Sequence, residues 1–431
     1  MQGTPKGMRI HIGIFGKRNV GKSSILNALT KQDISIVSET AGTTTDPVEK
    51  SMELLPLGPV LFVDTAGIDD EGALGLQRVE KTKKVIDRID LAIVVCDERG
   101  FDKFEEKLIE EFNLRKTPFI IVVNKIDKFL PSPLEGEDSA ERKRLSIVSV
   151  RGFQHEERVL EKLGEGYKGT AVTVVITSIV NNQGIDDLKQ TIIKNVPDEF
   201  FSQNSIASDL ISAGETAVLV VPIDLEAPKG RLILPQVQTI RDLLDNDCIV
   251  IVTKERELRR TLDNLKTPPA LVVTDSQAFL KVSADVPRNV KLTSFSILFA
   301  RLKGELSEFV KGTLAIENLK SGDKVLICES CTHHDIGDDI GRVKIPRWLT
   351  QYTGKKLEFE HYAGHDFPEN IKDYALIIHC GACMTNRKEI LSRIWKAKEL
   401  NVPITNYGLT IAYSLGIFER AIEPFKVKCE R

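Results

Sequence analysis

The stretch RIHIGIFGKRNVGKSS, residues 9–24, decides how the first part of the chain folds. Its apolar half has the length of a β-strand, and a glycine-rich loop from Gly16 to Ser23 joins it to the helix-forming segment SSILNALTK. This context is typical of a phosphate-binding loop, because glycines let backbone N–H groups turn onto phosphate oxygens. The flanking strand and helix disfavour the alternative, a chance glycine-rich turn.

Chemistry assigns separate roles to the residues of this loop. We expect Lys22 to reach the β- and γ-phosphates and to act as a catalytic residue, and the Ser23 hydroxyl to coordinate Mg²⁺. The helix N-terminus adds positive potential for the anionic ligand. The other predicted nucleotide contacts of the loop are Gly16, Asn19, Gly21 and Ser24.

Two later segments complete the predicted phosphate site. Asp64 ends the strand PVLFVD, where it would hold Mg²⁺ through water, and the N–H of Gly67 would touch the γ-phosphate and sense hydrolysis. The run GTTTD at 42–46 lies between the two phosphate motifs. A threonine run is usually a solvated loop, but this position favours Thr44 as the catalytic residue that closes over Mg²⁺ in the triphosphate state.

The segment NKID, residues 124–127, ends the apolar run PFIIVV and predicts the base. The Asp127 carboxylate can accept hydrogen bonds from both N–H donors of guanine, whereas adenine has no such donor pair. Asn124 and Lys125 belong to the same predicted nucleotide-binding set. Ser178, after AVTVVI, is expected to contact the base through its backbone. The sequence therefore predicts GTP rather than ATP.

Composition limits the class of protein. Of 431 residues, 42% are hydrophobic and 28% are charged, and the net charge is −3, as in ordinary globular proteins. A weakly acidic chain has no general field that attracts nucleic acid or anionic membrane. No apolar run approaches the ~20 residues that span a bilayer, and residues 1–8 lack a secretory signal pattern. We expect a cytoplasmic protein without nucleic-acid or membrane partners.

Apolar runs of strand length alternate with segments of helical period almost throughout. This pattern predicts an α/β fold of three α/β domains with mainly parallel sheets, the first a P-loop GTPase fold. Strands of the first domain are predicted in RIHIGIFG, PVLFVDTAG, DLAIVVCD, PFIIVVNKID and AVTVVITS. Later strands are predicted in ETAVLVVPIDL, CIVIVTK, ALVVTD, NVKLTSF, DKVLICES, DYALIIHC and VPITNYG. The charged, glycine-rich segment 129–169 is expected to be an irregular insertion.

Five of the seven cysteines fall between residues 328 and 429. Cys331 and His333 follow the predicted strand DKVLIC, and HCGAC, residues 379–383, ends the strand DYALIIH. Parallel sheets place ligands at the carboxyl ends of their strands, so we expect Cys331, Cys380, Cys383, His333 and His379 to converge on a soft metal or an iron–sulfur cluster.

Other assignments of these cysteines stay open. A structural zinc with three cysteines and one histidine fits the ligand count. A cubane cluster needs four ligands, and only three cysteines share one location, so a histidine, an exogenous group or water would bind the fourth iron. Cys328 lies within its strand and is predicted to be a core thiol, as are Cys96 and Cys248 in their apolar runs.

The nucleotide motifs, in this order, resemble the GTPases of the TrmE–Era group. Position 68 is Ile, so the glutamine that positions water in Ras-like proteins is missing. Asn19 occupies the loop position that helps to hold K⁺ in potassium-dependent members, and a turn-stabilising asparagine is the alternative. The resemblance implies slow GTP hydrolysis, stimulated by K⁺, for which Asn19 would count among the catalytic residues.

The chain as a whole resembles the HydF family of [FeFe]-hydrogenase maturation GTPases. The features that carry this likeness are C-x-H-x45-H-C-x-x-C at 331–383, VPIDLEAPKGRLILPQVQ at 221–238 and DIGRVKIPRWL at 339–349. The insertion at 129–169 is the main departure. The resemblance implies a GTPase domain at 1–200, a dimerisation domain at 205–315 and a cluster-binding domain at 316–431.

Membership of this family would imply a scaffold or carrier. Such a protein binds a [4Fe–4S] cluster, here through Cys331, Cys380 and Cys383. It receives a diiron precursor from radical-SAM maturases and delivers it to apo-[FeFe]-hydrogenase, and it forms a homodimer. The alternative is a regulatory GTPase with a structural zinc domain.

Overall fold

The computed structural model describes residues 4–30, 48–65, 82–97, 103–128, 173–197, 205–222, 232–330 and 339–427. The chain divides into two compact units, one of Met1–Thr4 and Met8–Ser202 and one of Pro5–Gly7 and Gln203–Arg431. The predicted sites Thr44, Gly67, Cys331 and His333 lie outside the described residues, as do Ile68 and the insertion at 129–169. No helix in the described part of the chain has the length and apolarity needed to cross a membrane.

The first unit contains a six-stranded sheet in the order β2-β3-β1-β4-β5-β6. Its pairs are parallel except for the antiparallel β2–β3 pair at one edge. The strands are β1 Ile10–Phe15, β2 Val48–Leu54, β3 Gly58–Asp64, β4 Leu91–Cys96, β5 Phe119–Val123 and β6 Thr173–Ile176.

Helices cover both faces of this sheet. Every residue of β1, β4 and β5 is buried, which explains why these strands are continuous apolar runs rather than alternating ones. One core contains α1 and α3 residues, and the other contains α2 residues. Helices of this unit include α1 Lys22–Thr30, α2 Lys103–Leu114 and α3 Ile185–Asn195.

The second unit contains two four-stranded sheets, both entirely parallel. The first has the order β10-β9-β7-β8, and the second has the order β12-β11-β13-β14. The strands are β7 Thr216–Val220, β8 Ile249–Thr253, β9 Leu271–Thr274, β10 Lys291–Ser294, β11 Lys324–Glu329, β12 Glu358–Ala363, β13 Leu376–His379 and β14 Ile404–Asn406.

Helices pack between and around these two sheets. A single hydrophobic cluster includes Val218 of β7 and Ile327 of β11, so both sheets contribute to one core. The α-helices are α4 Leu234–Asp245, α5 Leu258–Asp263, α6 Phe279–Asp285, α7 Phe295–Lys303, α8 Leu306–Leu314, α9 Ile345–Thr353, α10 Arg387–Glu399, α11 Tyr407–Ser414 and α12 Phe418–Ile422.

The α/β class with mainly parallel sheets is confirmed. Two edge strands, β2 and β12, lie outside the predicted set. Their burial alternates or is partial, so neither has the apolar run that marks the central strands. The domain boundaries remain predictions.

Candidate nucleotide site and cysteine loop

The loop between β1 and α1 depends on two glycines. Gly16 has φ 144° and Gly21 has φ 98°, which lie in the region that favours glycine. A Cβ on Gly16 would lie 2.2 Å from the carbonyl oxygen of Val95, and one on Gly21 would lie 2.3 Å from Asn124 Nδ2. Both positions therefore require glycine for backbone conformation and for space.

Lys22 and Ser23, the first residues of α1, face the places where phosphate and Mg²⁺ are expected. Lys22 is buried, and its Nζ donates to the carbonyl oxygens of Gly16 at 2.8 Å and Lys17 at 2.7 Å. This folds the ammonium group back over the loop. The Ser23 hydroxyl donates to Asp64 Oδ2 at 2.7 Å.

The surroundings of Asp64 fit a divalent cation. Burial raises the pKa of its carboxyl group, although Ser23 and Lys22 act in the opposite direction. Its Oδ1 is buried and has no hydrogen-bond partner among the described residues. A buried carboxylate oxygen without a partner costs free energy, and a bound cation with its water shell would remove that cost. Ser23 and Asp64 would hold Mg²⁺ here.

The predicted base-binding segment is tied to the phosphate loop. Asn124 Nδ2 donates to the carbonyl oxygen of Val20 at 2.9 Å. The Nζ of Lys125 hydrogen-bonds to the carbonyl oxygen of Asn19 and lies 3.2 Å from Asp97 Oδ2. Asn124 and Lys125 thereby hold the base-binding segment at a fixed distance from the phosphate-binding loop.

Asp127 and Ser178 are brought together despite the long chain segment between them. The Ser178 hydroxyl donates to Asp127 Oδ1 at 2.6 Å, and it accepts from the N–H of Asn181 at 3.3 Å. Ser178 follows β6, which pairs with β5, so the carboxyl ends of neighbouring strands deliver both residues. The hydrogen bond orients the carboxylate that is predicted to recognise guanine.

Sequence reasoning missed two supporting residues of this site. Asp97 is buried directly after β4 and forms an ion pair with Lys125. Thr177, after β6, donates from Oγ1 to Asn124 Oδ1 at 3.1 Å. Asp97 and Thr177 each follow the carboxyl end of a strand that adjoins the predicted nucleotide site. This placement in the sequence is the signal by which they could have been predicted.

Two other predicted residues lie at the surface. Asn19 is exposed and has φ 63°, a conformation that asparagine tolerates better than most residues. Ser24 is also exposed, next to Ser23 on the first turn of α1. Neither position conflicts with its predicted contact to the nucleotide or to K⁺.

The second predicted site lies in the loop from Cys380 to Asn386 that connects β13 to α10, here named the cysteine loop. The N–H groups of Ser330 and Ala382 donate to Cys380 Sγ at 3.1 and 3.4 Å, and the Ser330 hydroxyl lies 3.3 Å from the same sulfur. Ala382 has φ 55°, which turns its N–H toward the sulfur. These contacts hold the Cys380 sulfur in a fixed position at the start of the loop.

The other cysteines differ in burial. Burial raises the pKa of the Cys383 thiol to about 11, and nearby Cys380 acts in the same direction. Cys328 is fully buried in β11, and burial raises the pKa of its thiol to about 12. Cys96 and Cys248 are buried as well, as expected for core thiols.

His379 is the last residue of β13 and is fully buried. Burial, together with Arg393, lowers the pKa of its imidazole to about 3. Its Nδ1 lies 3.0 Å from the carbonyl oxygen of Cys380, and its Nε2 lies 2.8 Å from Nη1 of Arg393. Both ring nitrogens therefore have partners other than a metal.

The described residues include no cluster of three or more His, Cys, Asp or Glu side chains that would hold a metal ion. They bring together Cys380 and Cys383 of the predicted cluster ligands. Two neighbouring thiols with backbone N–H donors fit a part of an iron–sulfur site, in which backbone N–H groups commonly hydrogen-bond to sulfur.

Comparison with known proteins identifies the second unit. A family model described as the hydrogen maturase F dimerization domain matches residues 206–304, and one described as the hydrogen maturase F tetramerization domain matches residues 307–424. The chain belongs to the hydrogen maturase F family. The predicted resemblance to HydF is thus confirmed. A third model, described as a 50S ribosome-binding GTPase, matches residues 11–125, so this family member carries a P-loop GTPase domain.

Two curated relatives each match less than half of the hydrogen maturase F chain. GTPase Der from Wolinella succinogenes is 38% identical over 40% of the chain and 38% of its own length. The tRNA modification GTPase MnmE from Finegoldia magna is 35% identical over 46% of the chain and 36% of its own length. The chain thus spans less than two fifths of these relatives.

Solved structures give weaker likenesses. Aquifex aeolicus Era is 21% identical, with 57% of this chain and 93% of that chain covered and a TM-score of 0.32. The G domain of T. maritima FeoB is 20% identical, with 44% and 99% covered and a TM-score of 0.29.

Proposed function

We propose that this protein is a GTP-hydrolysing scaffold that holds a [4Fe–4S] cluster and delivers a diiron precursor to apo-[FeFe]-hydrogenase. The observation that carries the proposal is the sulfur of Cys380, which accepts two backbone N–H groups in a unit of the hydrogen maturase F family. The diiron precursor would be the cargo, supplied by radical-SAM maturases.

The first unit would bind GTP with Mg²⁺. Lys22 would leave its own loop carbonyls and contact the phosphates, and Ser23 and Asp64 would hold the cation. Asp127, oriented by Ser178, would accept the two N–H groups of guanine. Because Ile68 stands where Ras-like proteins use a water-positioning glutamine, hydrolysis would be slow. Thr44 and Gly67 would complete the phosphate site.

The second unit would hold the cluster on Cys331, Cys380 and Cys383. Hydrogen bonds from the N–H groups of Ser330 and Ala382 would orient the Cys380 sulfur and fix the loop that carries Cys383. A [4Fe–4S] cluster held by three thiolates would supply one iron site that is open to an incoming ligand. Such a site suits a carrier, because cargo must attach and leave.

The first experiment measures metal content. The full chain, purified without oxygen, should contain about four irons and four sulfides per chain and give an EPR signal on reduction. Added imidazole or cyanide should change that signal without destroying the cluster. A colourless protein that contains one zinc and no sulfide would support the alternative, a regulatory GTPase with a structural zinc domain.

The proposal includes a homodimer. The sheet of β7 to β10 has an edge strand that could form the dimer interface. Strand β8 lies at the edge of this sheet, and its side chains Ile249 and Val252 are about half exposed. Val237 and Leu244 of the adjacent helix α4 are similarly exposed. An open edge strand with apolar side chains invites pairing with a second copy.

This edge predicts which substitution would separate the dimer. We expect Val252→Lys to convert the protein to a monomer in light scattering at micromolar concentration, because lysine on an edge strand opposes pairing. Leu114→Lys, at an exposed position of the first unit, is the matched control and should leave the mass unchanged. A dimeric Val252→Lys variant would exclude this edge.

A further inference from the structure

The second unit buries an arginine next to the cysteine loop. Arg393 of α10 is 3% exposed, and its guanidinium lies over the ring of Phe367. Its Nη1 lies 2.8 Å from His379 Nε2. Its Nη2 donates to Glu389 Oε1 at 2.6 Å and to the carbonyl oxygen of Gly364 at 2.9 Å. The guanidinium thus joins α10, the segment after β12 and the end of β13.

The functional groups determine which atom donates and which accepts in the two hydrogen bonds of the His379 ring. A guanidinium has N–H donors and no acceptor, so Nε2 of His379 must accept from Arg393. The carbonyl oxygen of Cys380 can only accept, so Nδ1 of His379, 3.0 Å away, must carry the proton. The ring is therefore the neutral Nδ1–H tautomer, and its one lone pair points at Arg393.

Glu389 keeps the arginine in this position. The carboxylate is buried, and its second oxygen, Oε2, lies 3.0 Å from Nδ1 of His365. The N–H of Glu389 donates to Oδ1 of Asn386, which caps α10 at the end of the cysteine loop. The contact with Asn386 holds the start of α10, and the contact with His365 holds the Glu389 carboxylate. Arg393 donates to this carboxylate and therefore has little freedom to move away from His379.

We propose that Arg393 is a positioning residue of the cysteine loop: it engages the lone pair of His379 Nε2, directs Nδ1–H at the carbonyl of Cys380, and so withholds this histidine from iron. The inference rests on the proposed function in one respect, that the loop holds a cluster on its cysteines. It narrows that proposal, because His333, an exogenous group or water would then complete the coordination of the fourth iron.

The first test needs no cluster. Full-length apoprotein with ¹⁵N-labelled histidine should show His379 as the Nδ1–H tautomer at neutral pH in long-range ¹H–¹⁵N spectra, with the signals assigned by their loss in His379→Gln. Arg393→Gln should shift His379 toward a mixture of tautomers. Arg387→Gln is the matched control, since Arg387 lies on the same helix but donates to the carbonyls of Leu302 and Gly304.

The second test uses the loaded protein. Pulsed EPR of the reduced cluster, with ¹⁵N-labelled histidine, should give the same nitrogen couplings in the unmodified chain and in His379→Gln. Arg393→Gln should gain a coupling that the double variant Arg393→Gln/His379→Gln lacks. Arg393→Lys keeps the charge but cannot bridge Glu389 and His379 in the same geometry. This variant should gain the same nitrogen coupling with a smaller amplitude.

Several outcomes would overturn the inference. A coupling in the unmodified chain that disappears in His379→Gln would make His379 an iron ligand. An Nε2–H tautomer in the apoprotein would contradict the role of Arg393, as would an Arg393→Gln spectrum without any new coupling. If Arg393→Gln does not fold, Glu389→Gln/Arg393→Gln removes both buried charges and answers the same question. Absence of iron and sulfide from the purified chain would refute the proposed function. The tautomer of His379 in the apoprotein would still test the role of Arg393.

Discussion

The nucleotide site and the cysteine loop both lie at the carboxyl ends of parallel strands, but different parts of the chain hold them in shape. In the loop between β1 and α1, the backbone sets the shape: Gly16 and Gly21 allow close approaches, and Lys22 and Asn124 donate to loop carbonyls. Beside the cysteine loop, buried side chains have this role for one residue, since Arg393 and its partners hold His379, which precedes Cys380.

This difference explains why one site is easier to predict than the other. Backbone geometry demands particular residues at particular positions, so it leaves short contiguous motifs such as that of Gly16 to Ser23. A side-chain network can use any helix that reaches the site. Arg393 lies 13 residues after Cys380, and nothing in its local sequence indicates that it contacts His379.

The largest effect expected from this comparison concerns the cysteines. Cys380→Ala should remove nearly all iron and sulfide, because Cys380 Sγ is the sulfur on which two N–H donors converge. Cys328→Ala is the matched control and should retain the cluster, since Cys328 is a fully buried core thiol. Iron and sulfide analysis with EPR would measure both variants.

A different result would change the assignment of this site. If Cys328→Ala lost iron as completely as Cys380→Ala, Cys328 would be the fourth ligand and the site would be closed. Variants of Cys331 and Cys383 should behave like Cys380→Ala. Replacement of His333 or His379 by glutamine should lower iron content only modestly, because the thiolates are the charged ligands.

The sequence predicted the central strands of all three sheets, because strands buried on both faces are continuous apolar runs. It did not predict β2 or β12, whose partly exposed side chains follow no such pattern. Asp127 and Ser178 were both predicted to contact the base, but the hydrogen bond between their side chains was not predicted. The partners of His379 were not predicted, because they depend on tertiary packing.

A smaller effect is expected at the base-binding segment of the nucleotide site. Asp127→Asn should lower the preference for GTP over ATP in steady-state turnover by about 10–100-fold, since two hydrogen bonds to a carboxylate contribute about 1–3 kcal/mol. Xanthosine triphosphate should recover activity, because its C2 carbonyl can accept from the new amide. Ser178→Ala should give a smaller loss, since it removes only the 2.6 Å bond that orients the carboxylate.

Unchanged GTP preference in Asp127→Asn would mean that guanine is selected elsewhere. In that case the Asp127–Ser178 pair would be a structural contact of the loop after β5, and the nucleotide site would depend on backbone recognition even more than proposed.

The smallest effect concerns the cation beside the phosphates. Turnover of GTP should be about tenfold faster in K⁺ than in Na⁺ at equal ionic strength, which corresponds to about 1.4 kcal/mol of transition-state stabilisation. The cation would supply positive charge near the phosphates, where other GTPases use an arginine finger.

Asn19→Ala should remove the difference between the two salts, because the exposed Asn19 side chain is the predicted ligand. Its backbone carbonyl would still accept from Lys125, so the loop should keep its attachment to the base-binding segment and GTP affinity should change little. A variant that loses GTP affinity as well would indicate a turn-stabilising asparagine instead, and backbone geometry would then account for this position as it does for Gly16 and Gly21.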